Sequence, residues 1–110
     1  MTDRELLELA AKAAGLIVIT DAKDRGLWIA GLEDEWNPLT DDGDAFRLTV
    51  KLGIKFSIKN GATWLERVIG PGQVQWDYEQ HDGDPYAATR RAIVRAAAEI
   101  GKQQEKNNGN

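Results

Sequence analysis

Apolar and polar residues alternate through three successive runs in the second half of the chain, and this alternation constrains the fold more than any other feature. A period of two is typical of strands that have one apolar and one polar face. The turn signals "KNG" at 59–61 and "GPG" at 70–72 separate the runs. The sequence therefore predicts a three-stranded antiparallel meander with one solvated face. Its apolar positions are Ile54, Phe56, Ile58, Trp64, Val68, Val74, Trp76 and Tyr78.

The N-terminal part of the chain predicts a helix followed by a hairpin. Residues 3–14 have the pattern of an amphipathic helix, and Thr2 and Glu5 have the spacing of a capping box. Two short β-branched runs follow, "LIVIT" at 16–20 and "LWIAG" at 27–31, with the charged segment "DAKDRG" between them. Two such runs around a polar turn are typical of a β-hairpin.

Two further helices are predicted, one before the meander in the sequence and one after it. The first begins near Asp42 or Asp44 and ends at Gly53. The second has Asp84 as its N-cap, is followed at once by a proline, and ends at Gly101. Aspartate is a preferred N-cap, proline is favoured in the first helical position, and glycine commonly follows the last one.

These elements give the order α-β-β-α-β-β-β-α, which indicates a single α+β domain over residues 1–101. It has about five mostly antiparallel strands packed with three helices. Residues 102–110, "KQQEKNNGN", contain no apolar side chain and predict a disordered C-terminal tail. The side chains expected to be largely buried are Leu9, Phe56, Trp64, Trp76 and Ile93.

Composition excludes several classes of protein and of site. The 110 residues include no cysteine, so disulfides and thiolate metal sites are excluded, and a cytoplasmic protein is expected. The net charge of −4 argues against nucleic acid, which favours a basic surface. No apolar run approaches the ~20 residues that cross a bilayer, so a membrane partner is not expected.

Two acidic turns invite a functional interpretation, "DDGD" at 41–44 and "HDGDP" at 81–85. The first interpretation is structural: Asp84 caps one helix and Asp42 or Asp44 caps the other, with no metal between them. The alternative is a small divalent-metal-dependent hydrolase or nuclease, in which both turns converge on Mg²⁺ or Mn²⁺. Neither turn has the residue order of an EF-hand loop. The ligands in that case would come from Asp41, Asp42, Asp44, His81, Asp82 and Asp84.

Other chemistry-bearing residues are few. Ser57 and His81 are the only serine and the only histidine, so a nucleophile–base pair is not expected, and His81 is interpreted as exposed. No glycine-rich nucleotide motif is present. We therefore assign no catalytic residue, cofactor or metal ligand. A basic side of the last helix is interpreted as solvated; it consists of Arg90, Arg91, Arg95 and Lys102.

Trp36 follows three acidic residues, Glu33, Asp34 and Glu35. The indole either closes the core or stays exposed as an anchor for a protein partner, because tryptophan is enriched at binding hot spots. The function predicted from the sequence is a non-enzymatic protein-binding module, and these four residues are its candidate site.

Three stretches carry a family resemblance: "MTDRELLELAAKAAG" at 1–15, "WNPLTDDGDAFRLTVKLGI" at 36–54 and "DPYAATRRAIVRAAAEIG" at 84–101. They resemble small proteins of tailed bacteriophages and prophages of proteobacteria, in the family called the phage ABA sandwich domain. The resemblance implies helices on both faces of a sheet, a three-layer α/β/α arrangement. It also implies a phage origin and expression in the bacterial cytoplasm, and it brings no catalytic residue. For the predicted binding module, a host protein is the expected partner.

Overall fold

The computed structural model describes residues 1–19 and 26–108. The predicted α+β class and element order are confirmed, whereas the charged turn of the first hairpin lies outside the described residues. The helices are α1 (Asp3–Ala13), α2 (Asp42–Leu52) and α3 (Pro85–Asn108). The strands are β1 (Val18–Ile19), β2 (Trp28–Ile29), β3 (Lys55–Lys59), β4 (Ala62–Gly70) and β5 (Gln73–Gln80).

The five strands form two sheets rather than one. Strands β1 and β2 pair antiparallel as a short ribbon, and β3, β4 and β5 form an antiparallel sheet in that order. The turn between β3 and β4 has positive φ at Asn60 (53°) and Gly61 (72°), as the "KNG" signal predicts. Asparagine and glycine tolerate this conformation, which matches the twist of the paired strands. A register shift between Val68 and Gly70 precedes the last pair of the β4–β5 ladder, Gly70 with Gln73.

Helix α1 begins at the predicted capping box. Thr2 Oγ1 accepts from the backbone N–H of Glu5 at 3.1 Å, and the Glu5 carboxylate accepts from the backbone N–H of Thr2 at 3.1 Å. The hydrogen bond from the Thr2 backbone, with that from the Thr2 hydroxyl, lowers the pKa of the exposed Glu5 carboxyl. Helix α1 therefore has a well-defined start, and it ends one residue before the predicted Ala14, which is its C-cap.

Helix α3 contacts α1, α2 and the three-stranded sheet. Its buried side chains are mostly small, which lets neighbouring helices approach closely. They pack with Leu7, Leu27, Leu65 and Trp36 in one core. The buried residues of α3 in this core include Ala92, Ile93, Val94, Ala96 and Ala97.

The strand phase predicted for the meander is wrong. Thr63 and Leu65 lie on the face of β4 that packs against α3, which we call the inner face. Trp76 lies on the opposite, outer face and is 57% exposed, and Trp64 is only partly buried there. Phe56 points to the inner side but is also exposed, because it lies at the edge of the sheet beyond α3.

The charged residues of the inner face form ion pairs. Arg67 Nε donates to Asp77 at 3.3 Å, and Glu79 accepts from Arg95 of α3 at 2.6 Å. A buried polar group that keeps a hydrogen bond avoids most of its desolvation cost. The buried face of the sheet is thus the inner face, and the outer face carries the exposed aromatic residues. No described helix covers the outer face, so the described residues do not form the three-layer arrangement.

Burial predicts how strongly these two faces contribute to stability. Leu65→Ala should lower the free energy of unfolding by about 2–5 kcal/mol, because Leu65 is 1% exposed and leaves a cavity. Trp76→Ala should cost at most about 1–2 kcal/mol, since much of the indole stays in water after folding. Urea denaturation of both variants measures the difference. A larger loss for Trp76→Ala would restore the phase predicted from the sequence.

Helix α3 does not end at Gly101 but continues to Asn108, through most of the predicted disordered tail at 102–110. Residues 109–110 of that tail lie outside the described residues. Gly101 is buried, and a Cβ built on it would collide with the backbone carbonyl of Leu9 in α1. The glycine therefore allows two helices to cross closely rather than stopping one of them. Beyond it, Lys12 of α1 and Glu105 of α3 form an ion pair at 3.2 Å.

The crossing makes Gly101 sensitive to the smallest substitution. Alanine normally stabilises a helix interior by about 1 kcal/mol relative to glycine. At this position we expect Gly101→Ala to destabilise the protein by about 1–3 kcal/mol, because the helices must move apart. Gln103→Ala, at an exposed position on the same helix, is the control and should change stability by less than about 0.5 kcal/mol. A rise in the midpoint of thermal unfolding for Gly101→Ala would contradict the crossing.

Within residues 1–19 and 26–108, no helix combines the length and the apolar character that crossing a bilayer requires.

Candidate functional site

The first acidic turn caps α2 through a residue that the sequence analysis did not choose. Asp41, not Asp42 or Asp44, is the N-cap, and its carboxylate accepts from the backbone N–H of Asp44 at 2.8 Å. The helix starts at Asp42, so the prediction of Asp42 or Asp44 as the cap is wrong by one residue or more. A cap satisfies a helix N–H that has no partner within the helix.

The other two carboxylates of this turn hold the neighbouring loop. Asp44 is buried, accepts from the backbone N–H of Asn37 at 3.0 Å and pairs with Arg47 at 2.8 Å. Asp42 pairs with Arg90 of α3 at 2.7 Å, and Arg90 also donates to the carbonyl of Leu39 at 2.8 Å. These bonds attach the loop before α2 to both helices.

The second acidic turn caps α3 as predicted. Asp84 accepts from the backbone N–H of Ala87 at 3.0 Å. Asp82 and Gly83 have positive φ of 49° and 90°, which turns the chain into the helix. In the part of the chain that the structure describes, no group of three or more histidine, aspartate or glutamate side chains is placed to hold a metal ion.

Capping and metal binding predict different responses at Asp41 and Asp84. If both residues are caps, Asn variants should be nearly neutral and Ala variants should lose about 1 kcal/mol each, because asparagine caps as well as aspartate. Millimolar Mg²⁺ or Mn²⁺ should leave the melting temperature unchanged. The experiment is a thermal melt of each variant with and without the ion. Stabilisation of the wild type by the ion, lost in the Asn variants, would support the hydrolase alternative by mass action.

His81 is not a freely exposed side chain, contrary to its interpretation from the sequence. It is partly buried, and its Nε2 lies 2.9 Å from Thr63 Oγ1, which also lies 2.7 Å from Thr89 Oγ1. The three groups join β4, the end of β5 and α3. Thr63 is fully buried, so its hydroxyl is not accessible from solvent, and its two contacts connect the sheet with α3.

The predicted binding residues divide into a buried and an exposed part. Trp36 is 4% exposed and packs in the core, so its indole offers no exposed anchor. Its backbone pairs with Leu27 in an isolated bridge. Glu33, Asp34 and Glu35 are exposed, and Glu35 accepts from the backbone N–H of Gly26. Protein binding by the acidic residues stays a prediction, but Trp36 does not supply the exposed anchor that was expected beside them.

Acidic partners neutralise the basic side of α3. Arg91 pairs with Asp3 at 3.1 Å, and Lys102 lies 3.9 Å from Glu99. Together with the pairs already described for Arg90 and Arg95, this leaves no continuous basic surface on the helix. Nucleic-acid binding, which depends on free phosphate contacts, has little support here.

The surface that sequence reasoning missed is an apolar groove beside β3, which we call the β3 groove. Its exposed side chains are Phe46 of α2, Phe56 and Ile58 of β3, and Tyr86 at the start of α3. All but Phe56 are more than half exposed. The groove has a volume of about 430 Å³. The spacing that could have revealed it is the i, i+4 pair of Phe46 with the exposed Val50, on the side of α2 away from the buried Ala45, Leu48 and Thr49.

Strand β3 borders this groove with a free edge. Among residues 1–19 and 26–108 it pairs with β4 on one side and with no strand on the other, and all five of its residues are exposed. Among the described residues, no backbone hydrogen bond outside the sheet involves Phe56 or Ile58. The free edge of a sheet presents main-chain donors and acceptors to an added strand.

A second apolar surface is the outer face of the three-stranded sheet. Trp64 and Tyr78 stack there with ring centroids 5.0 Å apart and planes inclined by 28°, and Trp76 and Val68 are exposed beside them. The Trp64 Nε1 atom is buried without a hydrogen-bond partner. The strands of this face pair with one another within the sheet, so the exposed groups of the face are side chains rather than main-chain donors and acceptors.

No family model, curated protein sequence or solved structure matches the chain. The function is therefore inferred from the surfaces just described.

Proposed function

We propose that the chain is a non-enzymatic protein-binding module and that its partner docks in the β3 groove. The observation that carries the proposal is the combination of exposed Phe46, Ile58 and Tyr86 with a free strand edge beside them. Contiguous exposed apolar surface in a small domain is typical of interaction sites. Aromatic side chains are also enriched in protein interfaces.

The aspartates of the two acidic turns have structural roles, which weakens the case for a catalytic or metal site. Asp41 and Asp84 cap helices, and Asp42 is paired with Arg90. A carboxylate in an ion pair with arginine is a poor ligand for a metal, because the two cations compete for the same oxygens. The hydrolase alternative thus has no independent observation in its favour.

The biological setting of this module is proposed from the family resemblance. A phage or prophage accessory protein would work in the bacterial host cytoplasm, and its partner would be a host protein. The phage origin and the cytoplasmic setting rest on the resemblance, and a host partner is the protein that a binding module in that setting would meet. The binding surface rests on geometry.

The proposal predicts that partner binding depends on the groove. A photo-crosslinking residue at Tyr86 should give a discrete adduct in bacterial lysate, and Phe46→Ser and Ile58→Ser should each reduce that adduct at least about tenfold, as loss of an interface anchor does. Both side chains are largely exposed, so the variants should keep the wild-type melting temperature. The matched control is Val68→Ser on the outer face. If Val68→Ser reduced the yield of the adduct as much as the groove variants do, or if none of the three substitutions changed it, the groove would not be the binding site.

A further inference from the structure

We propose that the β3 groove binds an extended peptide segment in which apolar and acidic residues alternate, and that this segment pairs with β3 as an additional strand. This inference rests on the proposed function, because it specifies the partner of the same site. It follows from the direction of the main-chain groups of β3, the faces of its side chains and the charges on its outer side.

The main-chain groups of Phe56 and Ile58 point toward the free edge. Lys59 and Ala62 are the first and last residues of the four-residue turn between β3 and β4, and they are paired in register. The first and last residues of such a turn are hydrogen-bonded to each other. Hydrogen-bonded and non-hydrogen-bonded pairs alternate along antiparallel strands, so Lys55, Ser57 and Lys59 bond to β4 and the residues between them do not.

An added strand would place alternate side chains on the two faces of the sheet. Those beside Phe56 and Ile58 would face the groove and the exposed side chain of Phe46 in α2. Apolar residues suit these positions because they would remove exposed aromatic surface from water. Main-chain pairing with side-chain pockets at every second residue is the general mode of peptide recognition by strand addition.

The other side chains of an added strand would lie beside Lys55 and Lys59 on the outer side. Both lysines are exposed, and neither belongs to an ion pair within the described part of the chain. Glu66 of β4 is the register partner of Lys55, whereas the partner of Lys59 is the uncharged Ala62. Opposite charges on neighbouring strands attract and like charges repel. Acidic residues at the outer positions of the peptide therefore complement the strand.

The same charges argue against a second copy of the chain as the occupant. Antiparallel pairing of two β3 strands over their full length would centre on Ser57 and set Lys55 of each copy beside Lys59 of the other. Lysines on edge strands are a common defence against such self-pairing. An acidic partner turns this repulsion into attraction, which favours a different protein over a homodimer.

The test uses synthetic fluorescent peptides long enough to pair with all five residues of β3, in which valine alternates with glutamate or with lysine. By fluorescence anisotropy the full-length protein should bind the glutamate peptide at least about tenfold more tightly than the lysine peptide. The double variant Lys55→Glu, Lys59→Glu should reverse this preference. Lys106→Glu, an exposed position far along α3, is the matched charge control and should preserve it.

Pairing through the main chain has its own readout. A glutamate peptide that is N-methylated at the residues facing β3 cannot donate the strand hydrogen bonds and should bind at least about tenfold more weakly. Equal binding of the methylated and unmethylated peptides, equal binding of the two charge types, or no binding of either would overturn the inference. A wild-type homodimer in sedimentation experiments, strengthened by Lys55→Glu, would indicate that two copies pair through β3. That result would also overturn the inference.

The two proposals fail separately. If the lysate adduct depends on Phe46 but the peptides show no charge preference, the groove is a binding site for a partner of other chemistry. If the adduct is independent of Phe46, the groove itself is not the site, whatever the peptides do.

Discussion

The close crossing of α1 and α3 is the contact on which the rest of the fold depends. It needs a glycine at position 101, because the Leu9 carbonyl occupies the space of a side chain there, and it needs the alanine-rich middle of α3. With small side chains on this helix, α1, α2 and the inner face of the sheet can all reach it. Larger residues would separate these layers, since helix spacing follows the size of the side chains at the contact.

Coverage of the sheet by α3 also determines what remains exposed. The helix covers the inner face along β4 and β5, where Thr63 and Leu65 are fully enclosed. Strand β3 lies beyond that cover, so Phe56 and Ile58 face a groove instead of a core. The candidate site is thus a consequence of a sheet that is wider than the helix packed against it.

Local signals were sufficient to predict much of this fold. The Thr2–Glu5 capping box, the Asn60-Gly61 turn and the Asp84 cap each depend on residues a few positions apart, and the structure contains all three. The class and the element order follow from the same local patterns.

Features that depend on distant residues could not be predicted in this way. Gly101 has the local pattern of a helix stop, but its role is set by Leu9 at the other end of the chain. The strand phase failed because β4 carries apolar residues on both faces. Arg95 and Asp77, which satisfy the polar inner face, are known as partners only once the chain is folded. The β3 groove was missed for the same reason, since α2 and β3 meet there in space.

The distribution of charge separates structure from recognition. Most charged side chains near the helices have a partner within the chain. Asp41 caps a helix, Asp42 pairs with Arg90, and Glu79 pairs with Arg95. Lys55 and Lys59 differ, because they lie on a free strand edge and belong to no ion pair among the described residues, although Glu66 is the register partner of Lys55. Charges on an edge strand that are not held in an ion pair can select a ligand by the sign of its charge. Apolar area in the groove would then provide affinity, and the lysines would decide which extended segment can pair with the strand.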